Sequence, residues 1–216
     1  MTYTGDVEVG GPADTRELEG VTLTKIAVGP MNNNSYLLRC KNTGDALLID
    51  AAAEPERLLE MIGDVPMRKI VTTHQHHDHW QALAEVKKAT GAITVAHPKD
   101  APGIPVATDE LVDDGDTVTV GDVSLSVTHL VGHTPGSIAL TYMSGSDPHV
   151  FTGDCLFPGG PGKTTRPEDF NSLFGGLKSK VFDVLPDETW IYPGHGADTT
   201  IGAERPHLEE WRKRGW

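Results

Sequence analysis

Cysteine is scarce in this 216-residue chain. Only Cys40 and Cys155 occur, too few for a disulfide framework. No apolar run approaches the ~18 residues that a bilayer span requires. The opening MTYTGDVEVGGPADTRELEG has neither the basic segment nor the apolar segment of a secretory leader. Positive charge is also short: 18 Lys and Arg face 31 Asp and Glu, a net charge of −13. That field repels nucleic acid unless a local basic patch opposes it. The one basic cluster, Arg212, Lys213 and Arg214, suits a helix C-terminus. No repeat of 20–50 residues is visible. These absences point to a cytoplasmic enzyme or binding protein handling a small molecule, with no nucleic-acid or membrane partner.

What is present fits a globular chain. Hydrophobic residues make up 38% and charged residues 23%. Glycine and proline contribute 39 residues, above the usual share of about 12%, so turns and loops should be frequent. The expected organisation is one domain over 1–216. Residues 1–20 are either a loose arm or an added sheet edge.

Local patterns place the elements. VTLTKIAVG (21–29) alternates as a strand does. SYLLRC and ALLIDA flank KNTGD, whose Asn and Gly suggest a hairpin turn. EPERLLEMIG has Pro55 suited to a first helical turn and Gly63 to a stop. MRKIVTT (67–73) reads as a buried strand, HWQALAEVKKATG (79–91) as a helix, and AITVAH (92–97) as a strand. In the second half, DTVTVGDVSLSVTHLVG gives two strands joined at Gly121–Asp122. SIALTYM, HVFTGD and TWIYPG add three more. Phe170, Leu173, Phe174, Leu177, Val181 and Leu185 recur at helical spacing, with Gly175 and Gly176 weakening that helix. RPHLEEWRKRG should be a last short helix. Strands followed by helices in both halves suggest an α/β (α+β) arrangement with sheets face to face and helices outside.

The chemistry concentrates in HQHHDH (74–79). At a strand end, the period of two sends His74 and His76 to the same side, while Asp78 and His79 open the helix that follows. Imidazole and carboxylate are ligands of zinc and similar first-row metals. By alternation, His77 should point away and bind nothing.

HxHxDH resembles the metal motif of the metallo-β-lactamase superfamily, and further landmarks of that family follow in order. Asp50 ends ALLID, GHTPGS (132–137) carries His133, FTGDCLF (151–157) carries Asp154, and YPGHG (192–196) carries His195. The resemblance runs from about residue 21 to the C-terminus. It implies an αββα sandwich and two divalent ions, zinc first, with iron or manganese as alternatives. His74, His76 and His133 would hold one ion, and Asp78, His79 and His195 the other. Asp154 would bridge them, and Asp50 would support the ligands from behind. It also implies a metal-bridging hydroxide as the nucleophile, oriented by Asp78 as the catalytic residue.

Within the family, YPGHG, FTGD and GHTPGS look most like the glyoxalase II group of thioester hydrolases. Lys163, following Gly162, stands where relatives place a lysine against a carboxylate of the thiol carrier. Three features depart from that group. Only 21 residues follow His195, too few for its C-terminal glutathione-binding helical domain. Thr165 replaces a frequent tyrosine, and Trp80–Leu83 replaces frequent glycines. A short hydrolase of a small thioester is therefore expected. A mononuclear iron persulfide dioxygenase and a lactonase or other ester hydrolase are the alternatives. Secreted β-lactamases of the family usually carry cysteine or serine where Asp154 stands, which disfavours that activity. Cys155, adjacent, is expected to be buried. GKT (162–164) is no phosphate loop, because Phe157 occupies the required glycine position. His97, His149 and His207 are expected at the surface or at strand ends, and His129 in a structural role.

Overall fold

The computed structural model describes residues 2–216. Two sheets face each other. The first has seven strands in sequence order: β1 (Asp14–Glu17), β2 (Val21–Val28), β3 (Asn33–Cys40), β4 (Ala46–Ile49), β5 (Met67–Val71), β6 (Ile93–Ala96) and β7 (Glu110–Leu111). It is antiparallel from β1 to β4 and parallel from β4 to β7. The parallel crossovers carry α1 (Pro55–Ile62) and α2 (Leu83–Thr90).

The second sheet uses β8 (Thr117–Val120), β9 (Val123–His129), β10 (Ile138–Ser144) and β11 (Asp147–Gly153), then, past a small ribbon of β12 (Leu156–Phe157) and β13 (Gly160–Pro161), β14 (Trp190–Pro193) and β15 (Thr199–Thr200). Its order is β15-β14-β11-β10-β9-β8. Among the described residues three helices cover it: α3 (Pro167–Leu177), α4 (Ile201–Glu204) and α5 (Leu208–Arg214).

The period of two explains the layers. In β4, Leu47 and Ile49 enter the core between the sheets, with Leu38, Leu125, Leu140 and Phe151. Ala46 and Leu48 of the same strand join a second core under α1 and α2. A third core, with Leu173, Phe182, Ile191 and Trp211, lies between the second sheet and its helices. A strand covered on both faces must be apolar throughout, and ALLI is. The result is the four-layered αββα sandwich.

Some expectations are corrected. The arm is an added edge: β1 pairs with β2, and Tyr3 Oη donates to Asp198 Oδ2 at 2.7 Å. The helix after the histidines begins at Leu83, four residues later than expected. Asp78 and His79 occupy a separate 3₁₀ turn, His77–His79. The amides of Gln81 and Ala82 donate to Ala52 O and Ala51 O, so no helix can run through them. Gly175 and Gly176 do not break α3, which continues into a wider π turn over Lys178–Phe182. His97 does lie at a strand end but is buried, as is His149 inside β11. His149 Nδ1 lies 3.0 Å from Tyr192 Oη, and the rings stack, so an aromatic partner keeps this imidazole inside. His129 ends β9, its Nε2 2.9 Å from Pro135 O.

Candidate metal centre

The cluster forms where chain ends of both sheets meet. Parallel strand β4 ends at Ile49, just before Asp50, and β5 at Val71, from which Thr72 and Thr73 lead to His74; β11 ends before Asp154, and β14 ends before His195. Loops at the carboxyl ends of parallel strands are the usual ligand sites of such sheets. His133 arrives on the loop between β9 and β10.

Asp50 sits at the back. It is buried and adopts a left-handed backbone, φ 56°, uncommon for a residue with a side chain. Its carboxylate accepts the Thr73 amide at 2.7 Å and the Thr73 hydroxyl at 2.8 Å, and lies 2.8 Å from His79 Nδ1. Because Thr73 Oγ1 donates to Asp50, it can accept from His74 Nδ1, 3.1 Å away. The pattern repeats elsewhere. His133 Nδ1 is 2.7 Å from Lys163 O, and His195 Nδ1 is 2.9 Å from Met31 O. The hydrogen-bond network thus assigns the Nδ1 proton outward on His74, His79, His133 and His195. Their Nε2 atoms face inward, the arrangement in which outer partners orient metal-ligating imidazoles.

Three sets converge, each with its ligand atoms within 4.8 Å of one another: His74, His76 and His133; Asp78, His79 and His195; and His74, His79 and Asp154. Asp154 lies between the first two. Its Oδ1 is 3.3 Å from His79 Nε2, and its Oδ2 is 3.5 Å from His133 Nε2 and 3.4 Å from His195 Nε2. Asp78 Oδ2 accepts from Asn33 Nδ2 at 2.8 Å and lies 3.3 Å from His195 Nε2.

Charge is concentrated here. Burial opposes ionisation of Asp154, but His195 and His79 outweigh it and hold the carboxyl well below its usual range. Asp78 is lowered too, against burial, by His195 and the Asn33 amide. Burial likewise opposes charge on His79, yet Asp50 and Asp154 raise it to about 10. His195 rises to about 9 against burial, through Asp154 and Asp78. His74 is pushed well below its usual value by burial and by His79. The donor set therefore wants positive charge at its centre. Among the described residues four buried side-chain atoms have no hydrogen-bond partner, and two of them, His133 Nε2 and Asp154 Oδ1, belong to this cluster. Buried polar atoms seldom stay unpaired, and both face inward at the centre. The residues fit divalent metal ions.

Every sequence-expected ligand is in this cluster, and Asp50 is behind it. His77 is not: its side chain is 69% exposed, 4.0 Å from Asp78. Lys163 joins through its carbonyl. Its side chain is exposed and forms no hydrogen bond among the described residues. A cleft of about 440 Å³, lined by His133, Thr134, Pro135, Thr165 and Arg166, borders the centre. A larger one, about 580 Å³, lies under the N-terminal arm, away from the histidines.

Sequence reasoning missed Asn33, Thr73, the Met31 carbonyl and the need for glycine at 194. A Cβ on Gly194 would collide with Asp154 Oδ1 and with His79 Cε1. The run of three asparagines at 32–34 was the visible signal for Asn33. The Met31 contact is a backbone one and leaves no trace in residue type.

Comparison with known proteins agrees with this geometry. A hydroxyacylglutathione hydrolase of Polaromonas sp. is 36% identical over 76% of this chain, which spans 62% of that relative's length. The crystal structure of the BLEG-1 B3 metallo-beta-lactamase superposes with a TM-score of 0.75 at 28% identity, covering 86% of this chain and 97% of that one. TTHA1623 in a di-iron-bound form gives a TM-score of 0.71 at 30% identity, covering 84% and 96%. Residues 28–195 match the metallo-beta-lactamase superfamily, and with the four-layered sandwich and the histidine–aspartate cluster in place, the chain belongs to that superfamily, in its glyoxalase II-like part.

Proposed function

We propose that the chain is a dinuclear metal-dependent hydrolase of small thioesters, working as one domain in the cytoplasm. The observation that carries this reading is the position of Asp154, one oxygen toward His79 and the other toward His133 and His195. A carboxylate within 3.5 Å of histidines from both sets would serve both ions. His74, His76 and His133 would hold one, and Asp78, His79 and His195 the other. A donor set rich in imidazole suits zinc, with iron or manganese accepted according to supply. The di-iron form of TTHA1623 supports a two-ion centre and keeps iron in view.

Bound there, divalent ions lower the pKa of water towards about 7 and polarise the carbonyl to be attacked. The protein's part is orientation and proton transfer. Asp78, steadied by the Asn33 amide, faces the centre, orients the attacking water and accepts its proton. Water oxygen bonds to the thioester carbonyl carbon, the carbon–sulfur bond breaks, and the proton is returned to the departing thiolate. Asp50 and Thr73 keep His79 and His74 in their inward-facing tautomers. Lys163, exposed beside the His133 loop, anchors a carboxylate of the thiol carrier. The hydroxyacylglutathione hydrolase name of the Polaromonas relative supports an acyl-thiol substrate. The net charge of −13 argues against nucleic acid, and among the described residues no helix is long and apolar enough to cross a membrane.

The test is metal quantification on freshly purified protein, followed by a panel of acyl-thiols that includes S-lactoylglutathione, a lactone and a β-lactam. Two ions per chain and acyl-thiol cleavage abolished in Asp154→Ala are expected. One iron per chain with oxygen uptake on a persulfide would replace this reading with the dioxygenase. Full activity in metal-free protein would end both.

A further inference from the structure

Asp100 lies outside the cluster, on the loop after β6, and its residue is fully buried. Among the described residues no lysine, arginine or histidine forms an ion pair with it. Three donors satisfy it instead. Oδ2 accepts the Gln75 amide at 2.9 Å and the Thr134 hydroxyl at 2.5 Å. Oδ1 accepts the Gly136 amide at 2.7 Å. A carboxylate buried without a cation is costly unless hydrogen bonds to it are good, and bonds to an ionised acceptor are the strong ones.

The donors' positions give the arrangement its meaning. Gln75 stands between His74 and His76, and Thr134 directly follows His133. Asp100 is therefore hydrogen-bonded to both loops that carry the first ligand set. Gly136 permits the approach, since a Cβ there would meet Asp100 Oδ1 at 2.8 Å and its amide nitrogen at 2.7 Å. The second set is held by other groups. Asn33 reaches Asp78, Asp50 reaches His79, and the His195 loop hangs on Asn34, Tyr36 and Lys25.

We infer that Asp100 is a positioning residue for the His74, His76 and His133 set alone, a clasp between its two loops, so that this set can be loosened while the other stays intact. The inference rests on the two-ion reading above. Loss of a group bonded directly to a ligand weakens metal binding about 10–100-fold, which sets the ceiling for Asp100, whose contacts to Gln75 and Thr134 lie one residue from the ligands.

The experiment uses zinc alone, competed against a chelator, with activity left aside. In a His195→Ala background the remaining tight ion sits on the first set, and adding Asp100→Asn should weaken it by about 5-fold or more, with about 100-fold as the ceiling. In a His133→Ala background the remaining ion sits on the second set, and Asp100→Asn should change it less than about twofold. Circular dichroism of the metal-free proteins checks folding. Should Asp100→Asn fail to fold, Thr134→Val removes one of the three bonds, and the same contrast between backgrounds is expected with a smaller drop. Equal weakening in both backgrounds, or in neither, overturns the inference. Fewer than two ions in the unaltered protein would instead overturn the two-ion reading.

Discussion

Neighbouring histidines with the same chemistry have different fates because backbone direction separates them. His76, His77 and His79 lie within four positions, yet the 3₁₀ turn sends His77 to solvent and buries His79 against Asp50. His77→Ala should leave zinc content unchanged and activity within about twofold. His79→Ala should lose an ion, and more activity than the ~100-fold that outer partners alone account for. Metal analysis and acyl-thiol kinetics on both variants decide it, and the reverse result would redraw the ligand set. The sequence showed this division because alternation and turns are local properties. Asn33 and Thr73 act on side chains already chosen by motif; the run of asparagines at 32–34 hints at the first, and nothing local marks Thr73.

Among the elements, β2 shows how far a local reading reaches. Its alternation was legible, but the same alternation puts Lys25 on the inner face with Val21 and Leu23, where an apolar residue is expected. Lys25 is fully buried. Its Nζ donates to Gly5 O, Gly196 O and Asp198 Oδ1, at 2.7, 2.8 and 2.7 Å. The partner lies 173 positions away, a separation no periodicity reports. The ammonium ties the N-terminal arm to the loop that presents His195. Removing one member of a buried pair strands the other's charge, at a cost of about 3–5 kcal/mol. Lys25→Met should lose about that much stability in urea unfolding of the metal-free protein. A loss under about 1 kcal/mol would mean the pair is replaceable by packing. The late start of α2 has a related cause: its helix-forming residues are visible in the sequence, while the backbone bonds from Gln81 and Ala82 to the loop after β4 are not.

At the scale of the molecule, the acidic chain carries an acid-sensitive joint inside the second sheet, away from the cluster. His149, in the second sheet, is lowered to about 4 by burial and by nearby Arg16. The unfolded ring takes up its proton near the ordinary 6.5. Between those values the unfolded state binds more protons, so stability is full above 6.5 and falls as pH drops towards 4. The contribution is at most about 3 kcal/mol. Metal-free protein should lose urea resistance between pH 7 and 4.5, and His149→Gln should show a shallower slope. Parallel slopes would assign the acid sensitivity to other groups. Sheets face to face with helices outside were legible from the longer strands, and the αββα sandwich from the family resemblance that the motif order carries; β1, β7, β12, β13 and β15, at two to four residues each, are too short to show a period.

One feature of the centre bears on how the protein is made. Its side chains come from positions 74 to 195, on loops of both sheets, and the His195 loop is tied to residues as early as Gly5 through Lys25. During synthesis no emerging portion that stops short of residue 195 contains the whole cluster, and domains fold as units once their contacts exist. A copy still lacking the His195 loop therefore lacks the full donor set: its last member emerges only after every strand of both large sheets except β15 has been made.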